Sequence, residues 1–290
     1  MPYILLAAAV VLPILFLCWQ NNGLKTTRIP FCSPRLPDGL QGYTIVQVSD
    51  LHSKRFGKGQ KRLLKRVARE RPHMIAVTGD MVNRDDRDFG RAVLCMQGLA
   101  SIAPVYFIPG NHEADQADYG RLRQELEEAG AVLLENRTVE MAGPHNCFQL
   151  MGVADPLPHR EETVLSKQER GRLRAGRTRA VLRDLLPDDK GFRLLLAHRP
   201  ELFDVYTEYA DLTLSGHAHG GQVRLPGLPG LYAPGQGVLP KYTAGLYKRG
   251  DRGMIVSRGL GGKKFVPRIF NRAEIVVITL EESARGCKNS

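Results

Sequence analysis

The sequence is poor in the residues that stabilise small disulfide-rich or metal-ribbon folds. It has five cysteines in 290 residues, scattered and without a Cys-x-x-Cys spacing. They therefore support neither a disulfide framework nor a zinc ribbon. Acidic residues are also in deficit, with 30 Asp and Glu against 41 Lys and Arg. The net charge of +11 favours an anionic partner, such as a phosphate compound, a nucleic acid or an acidic membrane surface.

Aromatic residues are few, at 7% of the chain, and they are thinly interleaved with its basic clusters. A channel for single-stranded nucleic acid needs aromatic side chains on which bases stack, so specific nucleic-acid binding is not predicted. No internal repeat is visible either. What is present is a hydrophobic fraction of 43% with 24% charged residues, which excludes wholesale disorder. A chain of this length can bury a large core in one large or two small domains.

The N-terminus carries an uncharged, almost wholly apolar run from Tyr3 to Trp19. At about 1.5 Å per residue, the run reaches the short end of the lengths that span a bilayer. A cleaved signal peptide and a buried helix are the alternatives, but no Lys or Arg precedes the run and no Ala-x-Ala site closes it. We predict an uncleaved transmembrane anchor over residues 1–20, followed by a polar, proline-containing linker over 21–42.

From Tyr43 onward, short apolar strands alternate with amphipathic helices. Examples of the strands are TIVQV, MIAV, VYFI and RLLLA, each of which is followed by polar residues. The predicted helices cover residues 58–70, 89–100, 119–129 and 163–186. This alternation predicts an α/β layered fold.

Polar side chains of one chemical kind fall at the carboxyl ends of the predicted strands. Five segments supply them: Asp50-Leu51-His52, Gly79-Asp80, Gly110-Asn111-His112-Glu113, Ala197-His198 and Gly216-His217-Ala218-His219. Ligands bind at this edge of open α/β sheets, so the five segments are expected to meet there. Carboxylates, amide oxygens and imidazoles are ligands of Mn²⁺, Fe and Zn²⁺. In Asp-x-His and His-x-His, alternate residues of an extended chain also face the same way.

Each segment alone has an ordinary explanation as a turn or a half-exposed strand. However, five of the eight histidines fall inside these segments. The other three, His73, His145 and His159, are interpreted as structural or surface residues. The joint, ordered occurrence of the five segments favours a metal site over five unrelated turns.

The ordered set D-x-H, G-D, G-N-H-E, H and G-H-x-H resembles the signature of the calcineurin-like metallophosphoesterase superfamily, over about Tyr43 to Leu280. The stretches GHAHGGQVRLP, LYAPGQG, YTAGLYKRG and VSRGLG resemble its membrane-associated bacterial branch. The resemblance implies a four-layer αββα sandwich with a two-metal site at the sheet edges. We therefore predict a metallophosphoesterase domain over residues 43–282, after the transmembrane helix and linker, and a tail over 283–290.

The resemblance also implies a role for each site residue. The first ion would be held by Asp50, His52, Asp80 and His219. Asp80 would bridge to a second ion, which would also be held by Asn111, His198 and His217. His112 would be the catalytic residue beside the leaving group, with Glu113 or Asp115 orienting its ring. Mn²⁺ is the predicted metal, with Fe and Zn²⁺ as alternatives.

Two such ions clamp a phosphoryl group and acidify a bridging water, whose hydroxide attacks phosphorus. The predicted function is therefore a membrane-anchored, dinuclear-metal phosphoesterase that hydrolyses a phosphodiester or pyrophosphate bond. Basic clusters at 54–71 and 170–183 are either solvated helix faces or surfaces for anionic lipid or substrate. With the anchor, they suggest a cell-membrane location and a lipid-linked substrate such as UDP-2,3-diacylglucosamine. The alternatives are a non-catalytic metal-binding membrane module, which the complete ligand set argues against, and a protein phosphatase.

Overall fold

A computed structural model of the chain describes residues 2–37, 39–142, 147–156, 164–186, 191–225, 227, 229–262 and 266–282. The predicted tail over 283–290, together with His145 and His159, lies outside these described residues.

The described part of the chain contains two six-stranded mixed sheets. The first has, in order, β1 (Leu24–Ser33), β14 (Ala273–Glu282), β2 (Thr44–Val48), β3 (Met74–Val77), β4 (Val105–Phe107) and β5 (Ala131–Leu133). The second has, in order, β12 (Gly245–Arg249), β13 (Arg252–Val256), β9 (Leu212–Ser215), β8 (Arg193–Ala197), β7 (Cys147–Val153) and β6 (Arg137–Ala142). A two-stranded ribbon pairs β10 (Tyr232–Ala233) with β11 (Gly237–Val238).

Each large sheet has a parallel centre. Strands β2 to β5 run parallel to one another, as do β7, β8, β9 and β13. Strand β14 is antiparallel to β2, while β6 and β12 are antiparallel edge strands of the second sheet. Because neighbouring parallel strands end at the same side, the loops that follow them meet at one edge of each sheet.

Five helices contribute side chains to the cores on the outer faces of the two sheets: Lys61–Arg69, Gly90–Ala100 and Tyr119–Glu128 on the first sheet, and Lys167–Leu185 and Phe203–Tyr206 on the second. Within the described residues the α-helices are Pro2–Asn22, Lys61–Arg69, Gly90–Ala100, Asn111–Ala114, Tyr119–Glu128, Lys167–Leu185 and Phe203–Tyr206. Short 3-10 turns occupy Lys58–Gln60, Pro200–Leu202 and His219–Gly221.

Three apolar cores separate these layers. One lies between the first sheet and its helices, one between the two sheets, and one between the second sheet and the helices that include Lys167–Leu185. Strand β8 shows the cause, because Leu194 and Leu196 enter the core between the sheets while Leu195 faces the helices. A strand buried on both faces is a continuous apolar run rather than an alternating one. The predicted α/β fold is confirmed, and its layers run helix, sheet, sheet, helix.

The predicted linker over residues 21–42 is wrong for the ten residues Leu24–Ser33. Residues Leu24–Ser33 form the edge strand β1, which pairs in parallel with all ten residues of β14. Phe31 is buried in the core between the sheets. The polar composition of this segment reflects an edge strand with one solvated face, not a tether.

The predicted transmembrane anchor over residues 1–20 is not supported. Among the residues that the structure describes, no helix combines the length and apolarity needed to cross a bilayer. The helix Pro2–Asn22 instead ends in contacts with the folded domain. Asn21 exchanges two hydrogen bonds with the backbone of Arg268, and the Arg272 guanidinium lies 4.5 Å from the centre of the Trp19 ring.

Candidate metal centre

Both sheets supply side chains to one site. From the first sheet, Asp50 and His52 follow β2, Asp80 follows β3, and Asn111 and His112 follow β4. From the second sheet, His198 follows β8, while His217 and His219 follow β9. The structure thus brings together the residues that the sequence places at five strand ends, and it buries most of them.

The backbone at the site is held in an uncommon conformation. Five of the candidate ligands have positive φ: Asp50 (51°), His52 (48°), Asp80 (55°), His217 (65°) and His219 (48°). A residue with a Cβ rarely adopts this left-handed region, and such residues concentrate at functional sites. The surrounding fold therefore stabilises turns that aim these five side chains inward.

Two glycines allow the strand ends to approach each other closely. A Cβ on Gly79 would lie 2.6 Å from the Gly110 nitrogen, and one on Gly110 would lie 2.3 Å from Asp80 Oδ1. Gly79 also has a φ of +88°. Any larger residue at either position would separate the Asp80 turn from the Asn111 turn.

The first group of ligand atoms consists of Asp50, His52, Asp80 and His219. His52 Nε2 lies 3.2 Å from His219 Nε2 and 3.7 Å from Asp80 Oδ2. His219 Nε2 lies 3.6 Å from Asp50 Oδ1. Two imidazole nitrogens and two carboxylate oxygens thus point at one position.

The second group consists of Asp80, His198 and His217, so the Asp80 carboxylate belongs to both. His198 Nε2 lies 3.3 Å from Asp80 Oδ2 and 3.2 Å from His217 Nδ1. Asn111 is next to this group in the same cavity, and its buried Oδ1 has no hydrogen-bond partner among the described residues. A buried amide oxygen without a donor fits a cation ligand.

Hydrogen bonds from neighbouring groups set which ring nitrogen faces the site. His198 Nδ1 lies 2.7 Å from the carbonyl oxygen of Thr78, and His52 Nδ1 lies 3.1 Å from Asn83 Oδ1. Since both partners are oxygen acceptors, each Nδ1 carries the proton and donates it. The Nε2 lone pair of each ring is then free to face a metal.

These observations fit two divalent cations that share one carboxylate. The lone pairs of two ring nitrogens 3.2 Å apart repel each other unless a proton or a cation lies between them. The nearby carboxylates add negative charge, which also favours a cation. Burial alone would raise the pKa of Asp80, but the surrounding histidines, His198 foremost, hold it well below its usual range. The Asp80 carboxylate is therefore ionised and able to bridge.

His112 lies beside the two groups without belonging to either. Its ring centre is 4.7 Å from that of His52, and its Nδ1 accepts a 3.1 Å hydrogen bond from the Arg84 backbone N–H. Burial lowers the pKa of His112, an effect that Asp80 partly opposes. The neutral ring therefore carries its proton on Nε2.

Of the two residues predicted to orient His112, Glu113 has a different role, whereas for Asp115 the role stays a prediction. Glu113 is fully buried and accepts backbone N–H bonds from Asp80, Met81, Val82 and Gly110, at 2.6 to 3.2 Å. Asp115 forms an ion pair with Arg84 at 3.2 Å. The ring is oriented by the Arg84 backbone, and Glu113 binds the two ligand-bearing turns together.

The part of the chain that contains these residues also matches a known family. The family model for calcineurin-like phosphoesterases matches residues 43–221, which is more than half of the chain. The chain belongs to this family. Together with the site geometry, the family supports a dinuclear divalent metal site. The protein is accordingly a metal-dependent phosphoric ester hydrolase, and the alternative of a non-catalytic module is not retained.

Curated relatives align over most of the chain. An uncharacterised metallophosphoesterase of Bacillus subtilis, YkuE, is 30% identical over 91% of this chain and 88% of its own. The phosphodiesterase YaeI of Escherichia coli is 28% identical over 84% of each chain. The UDP-2,3-diacylglucosamine pyrophosphatase LpxG of Chlamydia muridarum is 27% identical over 94% of this chain and 95% of its own.

The site opens into a cavity of about 350 Å³ whose lining includes residues that the sequence did not single out. Asn83, Arg84 and Pro234 line it together with His112 and five of the seven candidate ligands. Arg199 lies deeper, with Nη1 3.3 Å from His217 Nε2. Asn83 and Arg199 are close in sequence to Asp80 and His198. Proximity to a predicted ligand was therefore the sequence signal that could have identified them as site residues. Pro234 comes from the β10–β11 ribbon, which only the tertiary fold brings to the site.

Proposed function

We propose that this protein hydrolyses a phosphodiester or pyrophosphate bond at a two-metal centre. The single observation that carries the proposal is the convergence of two ligand groups on a shared carboxylate, Asp80. In the proposed assignment, the first ion is held by Asp50, His52, Asp80 and His219. The second is held by Asp80, Asn111, His198 and His217. When bound, two such ions supply positive charge to the phosphoryl oxygens and acidify a water molecule.

The protein's own groups then act on the leaving oxygen. His112 is neutral with its proton on Nε2, because the Arg84 N–H occupies Nδ1. It is proposed to donate a hydrogen bond from this N–H to the leaving-group oxygen, which stabilises the negative charge that develops there as the bond to phosphorus breaks. The Arg84 side chain lines the same cavity and is proposed to help bind the substrate phosphate.

The reaction class is proposed from two relatives. YaeI is a phosphodiesterase, and LpxG acts as a pyrophosphatase on UDP-2,3-diacylglucosamine. We propose Mn²⁺ as the metal, because carboxylate and amide oxygens suit this ion, with Fe and Zn²⁺, which the four imidazoles suit, as alternatives. A lipid-linked substrate such as UDP-2,3-diacylglucosamine is proposed on the same basis.

The test is hydrolysis by the full chain loaded with Mn²⁺, comparing bis-p-nitrophenyl phosphate with p-nitrophenyl phosphate. We expect faster cleavage of the diester. The Asp80→Ala variant should be inactive, whereas Asp184→Ala, which removes an exposed carboxylate that lines neither cavity at the metal site, should match the wild type. Faster cleavage of the monoester, or of phosphopeptides, would refute the proposed reaction class in favour of a phosphatase.

We further propose that the protein works at a membrane surface. The first helix exposes apolar side chains, including Ile4 (73%), Leu12 (64%) and Leu15 (58%). Near its end, a cavity of about 530 Å³ has a strongly basic lining, which includes Lys25, Arg28, Arg66, Arg69 and Arg272. Exposed apolar groups beside basic ones suit the surface of an anionic bilayer.

Co-sedimentation with phosphatidylserine-containing vesicles, compared with phosphatidylcholine vesicles, tests the surface. We expect preferential binding to the anionic vesicles, weakened in Lys25→Gln/Arg69→Gln and retained in Arg123→Gln, which lies on the helix Tyr119–Glu128. Equal binding to both kinds of vesicle, or no binding to either, would refute the proposal that the protein works at an anionic membrane surface. Release of UMP from UDP-2,3-diacylglucosamine, measured beside UDP-N-acetylglucosamine, tests the lipid-linked substrate separately.

A further inference from the structure

A second, larger cavity is continuous with the metal site. It has a volume of about 690 Å³ and shares four lining residues with the smaller cavity: Arg84, Asn111, His217 and Pro234. Asn111 and His217 are candidate ligands, so this space begins where a substrate phosphate would lie. Its volume falls in the range of small-molecule sites and exceeds what a phosphate alone would fill.

The lining of this larger cavity is strongly cationic. The basic residues that line it are Arg84, Lys167, Arg170, Arg174, Arg179 and Arg199, against the acidic residues Glu201 and Asp204. Four of the six lie on the helix Lys167–Leu185. Residues 167, 170 and 174 are spaced by three and four positions, which places them on one face of a helix.

The deeper arginines are fixed in place by carboxylates. Arg174 forms an ion pair with Glu201 at 3.4 Å, and Arg199 forms one with Asp155 at 2.6 Å. Both arginines are buried, so these pairs hold the guanidinium groups at defined positions in the wall. Side chains that are already held in place before a ligand arrives lose little conformational entropy on binding.

Nearer the helix start, Lys167 keeps its positive charge available to a ligand. Its Nζ donates to the carbonyl oxygen of Gln236 at 3.0 Å, and this acceptor is neutral. Arg170 lines the cavity one turn further along. A guanidinium and an ammonium group side by side are suited to binding phosphate oxygens.

We propose that this cavity is a subsite for a second phosphate group of the substrate, with Lys167 and Arg170 as specificity-determining residues. The inference rests on the proposed phosphoesterase function and adds to it that the substrate is at least a bisphosphorylated compound. One phosphate lies at the metal centre, where its ester or anhydride bond is cleaved. The second is either joined directly to it, as in a pyrophosphate diester, or carried on the adjoining sugar.

The test compares two substrates that share the bond to be cleaved. Thymidine 5′-(p-nitrophenyl phosphate) has one phosphate, and its 3′-phosphorylated derivative adds a second. We expect the Mn²⁺-loaded wild type to prefer the derivative in kcat/KM by about tenfold or more, the effect of a hydrogen bond to a charged group. UDP-glucose, which carries its second phosphate in a pyrophosphate link, distinguishes a directly joined phosphate from a remote one.

The variants are Lys167→Gln/Arg170→Gln and, as a matched control, Arg172→Gln, an exposed residue of the same helix outside the cavity lining. In the double variant, the ratio of kcat/KM for the two-phosphate substrate to that for the one-phosphate substrate should fall about tenfold. The control variant should keep the wild-type ratio. Calorimetric binding of thymidine 3′,5′-bisphosphate, compared with thymidine 5′-phosphate, should show the same change and does not depend on turnover.

The proposal is overturned if the wild type prefers neither bisphosphorylated compound in rate or in affinity. It is also overturned if the double variant loses rate and affinity equally for compounds with one and two phosphates. Failure of the proposed function has a different signature, because a Mn²⁺-loaded protein would then not cleave the one-phosphate substrate while calorimetry would still report on the subsite.

Discussion

Replacing Glu113 by glutamine should destabilise both the fold and the metal centre. Glu113 Oε1 accepts N–H bonds from Met81 and Val82 at 2.6 and 3.2 Å, and Oε2 accepts from Asp80 and Gly110 at 2.7 and 2.9 Å. Glutamine keeps one of these oxygens and puts an NH₂ donor in place of the other. Two buried N–H groups then lose their acceptor, at about 1 to 3 kcal/mol each, so the free energy of unfolding should fall by about 2 to 6 kcal/mol.

The second consequence concerns the ligands. Glu113 joins the turn that carries Asp80 to the turn that carries Asn111, so a looser junction should also weaken Mn²⁺ binding. Urea unfolding of the metal-free protein, followed by circular dichroism, measures the first effect, and calorimetric Mn²⁺ titration measures the second. Glu127→Gln is the matched control, because Glu127 is about half exposed and faces Arg123 at 3.7 Å, a pair of little energetic weight. The reasoning would be refuted if the free energy of unfolding of Glu113→Gln lay within about 1 kcal/mol of the wild-type value and its Mn²⁺ affinity were unchanged.

Three other variants test separate parts of the description. Asp80→Ala should abolish the binding of both ions, since its carboxylate belongs to both ligand groups, and metal analysis after dialysis measures this. His112→Ala should keep both ions and lower turnover mainly on substrates with poor leaving groups; loss of metal would show that His112 is a ligand. Burial, with help from Arg268 and Arg62, lowers the pKa of Lys54 from 10.5 to about 8. The folded protein therefore releases this proton at lower pH than the unfolded chain, and the unfolding free energy of the metal-free wild type should rise relative to Lys54→Met by up to about 3 kcal/mol between pH 8 and 10.5. A difference that stays constant over this range in urea titrations would contradict the Lys54 assignment.

The strands of the fold were readable because of burial on both faces. In β2, Val46 and Val48 face the helices while Ile45 faces the other sheet, so apolar residues fill both faces and Gln47 is the buried polar residue among them. The polar residues that follow such a run stand out sharply, which is why Asp50 and Asp80 could be assigned to strand ends. Strand β1 lacks this signal, because an edge strand needs few apolar residues and its ladder with β14 is made by backbone groups.

The first helix shows a different limit of sequence reasoning. Apolar composition predicted a transmembrane anchor, and the structure has a helix at Pro2–Asn22, but no helix among the described residues is long and apolar enough to cross a bilayer. What the composition did not reveal is the set of contacts at its end, where Asn21 bonds to the Arg268 backbone and Trp19 packs under Arg272. These contacts depend on residues about 250 positions away in the chain. Nothing local in the sequence encodes them.

The amino-acid sequence predicted the chemistry of the site, because residue types and their order along successive strands resemble a known family's pattern. It could name Asp50, His52, Asp80, Asn111, His198, His217 and His219 without coordinates. The tertiary structure decided how these residues are supported and what surrounds them. Glu113 connects two turns because the fold places four backbone N–H groups around its carboxylate. Lys167 and Arg170 line a cavity beside His217 because their helix packs across the second sheet. Such roles arise from distances between segments remote in the chain, and the spacing of residues along the chain does not fix those distances.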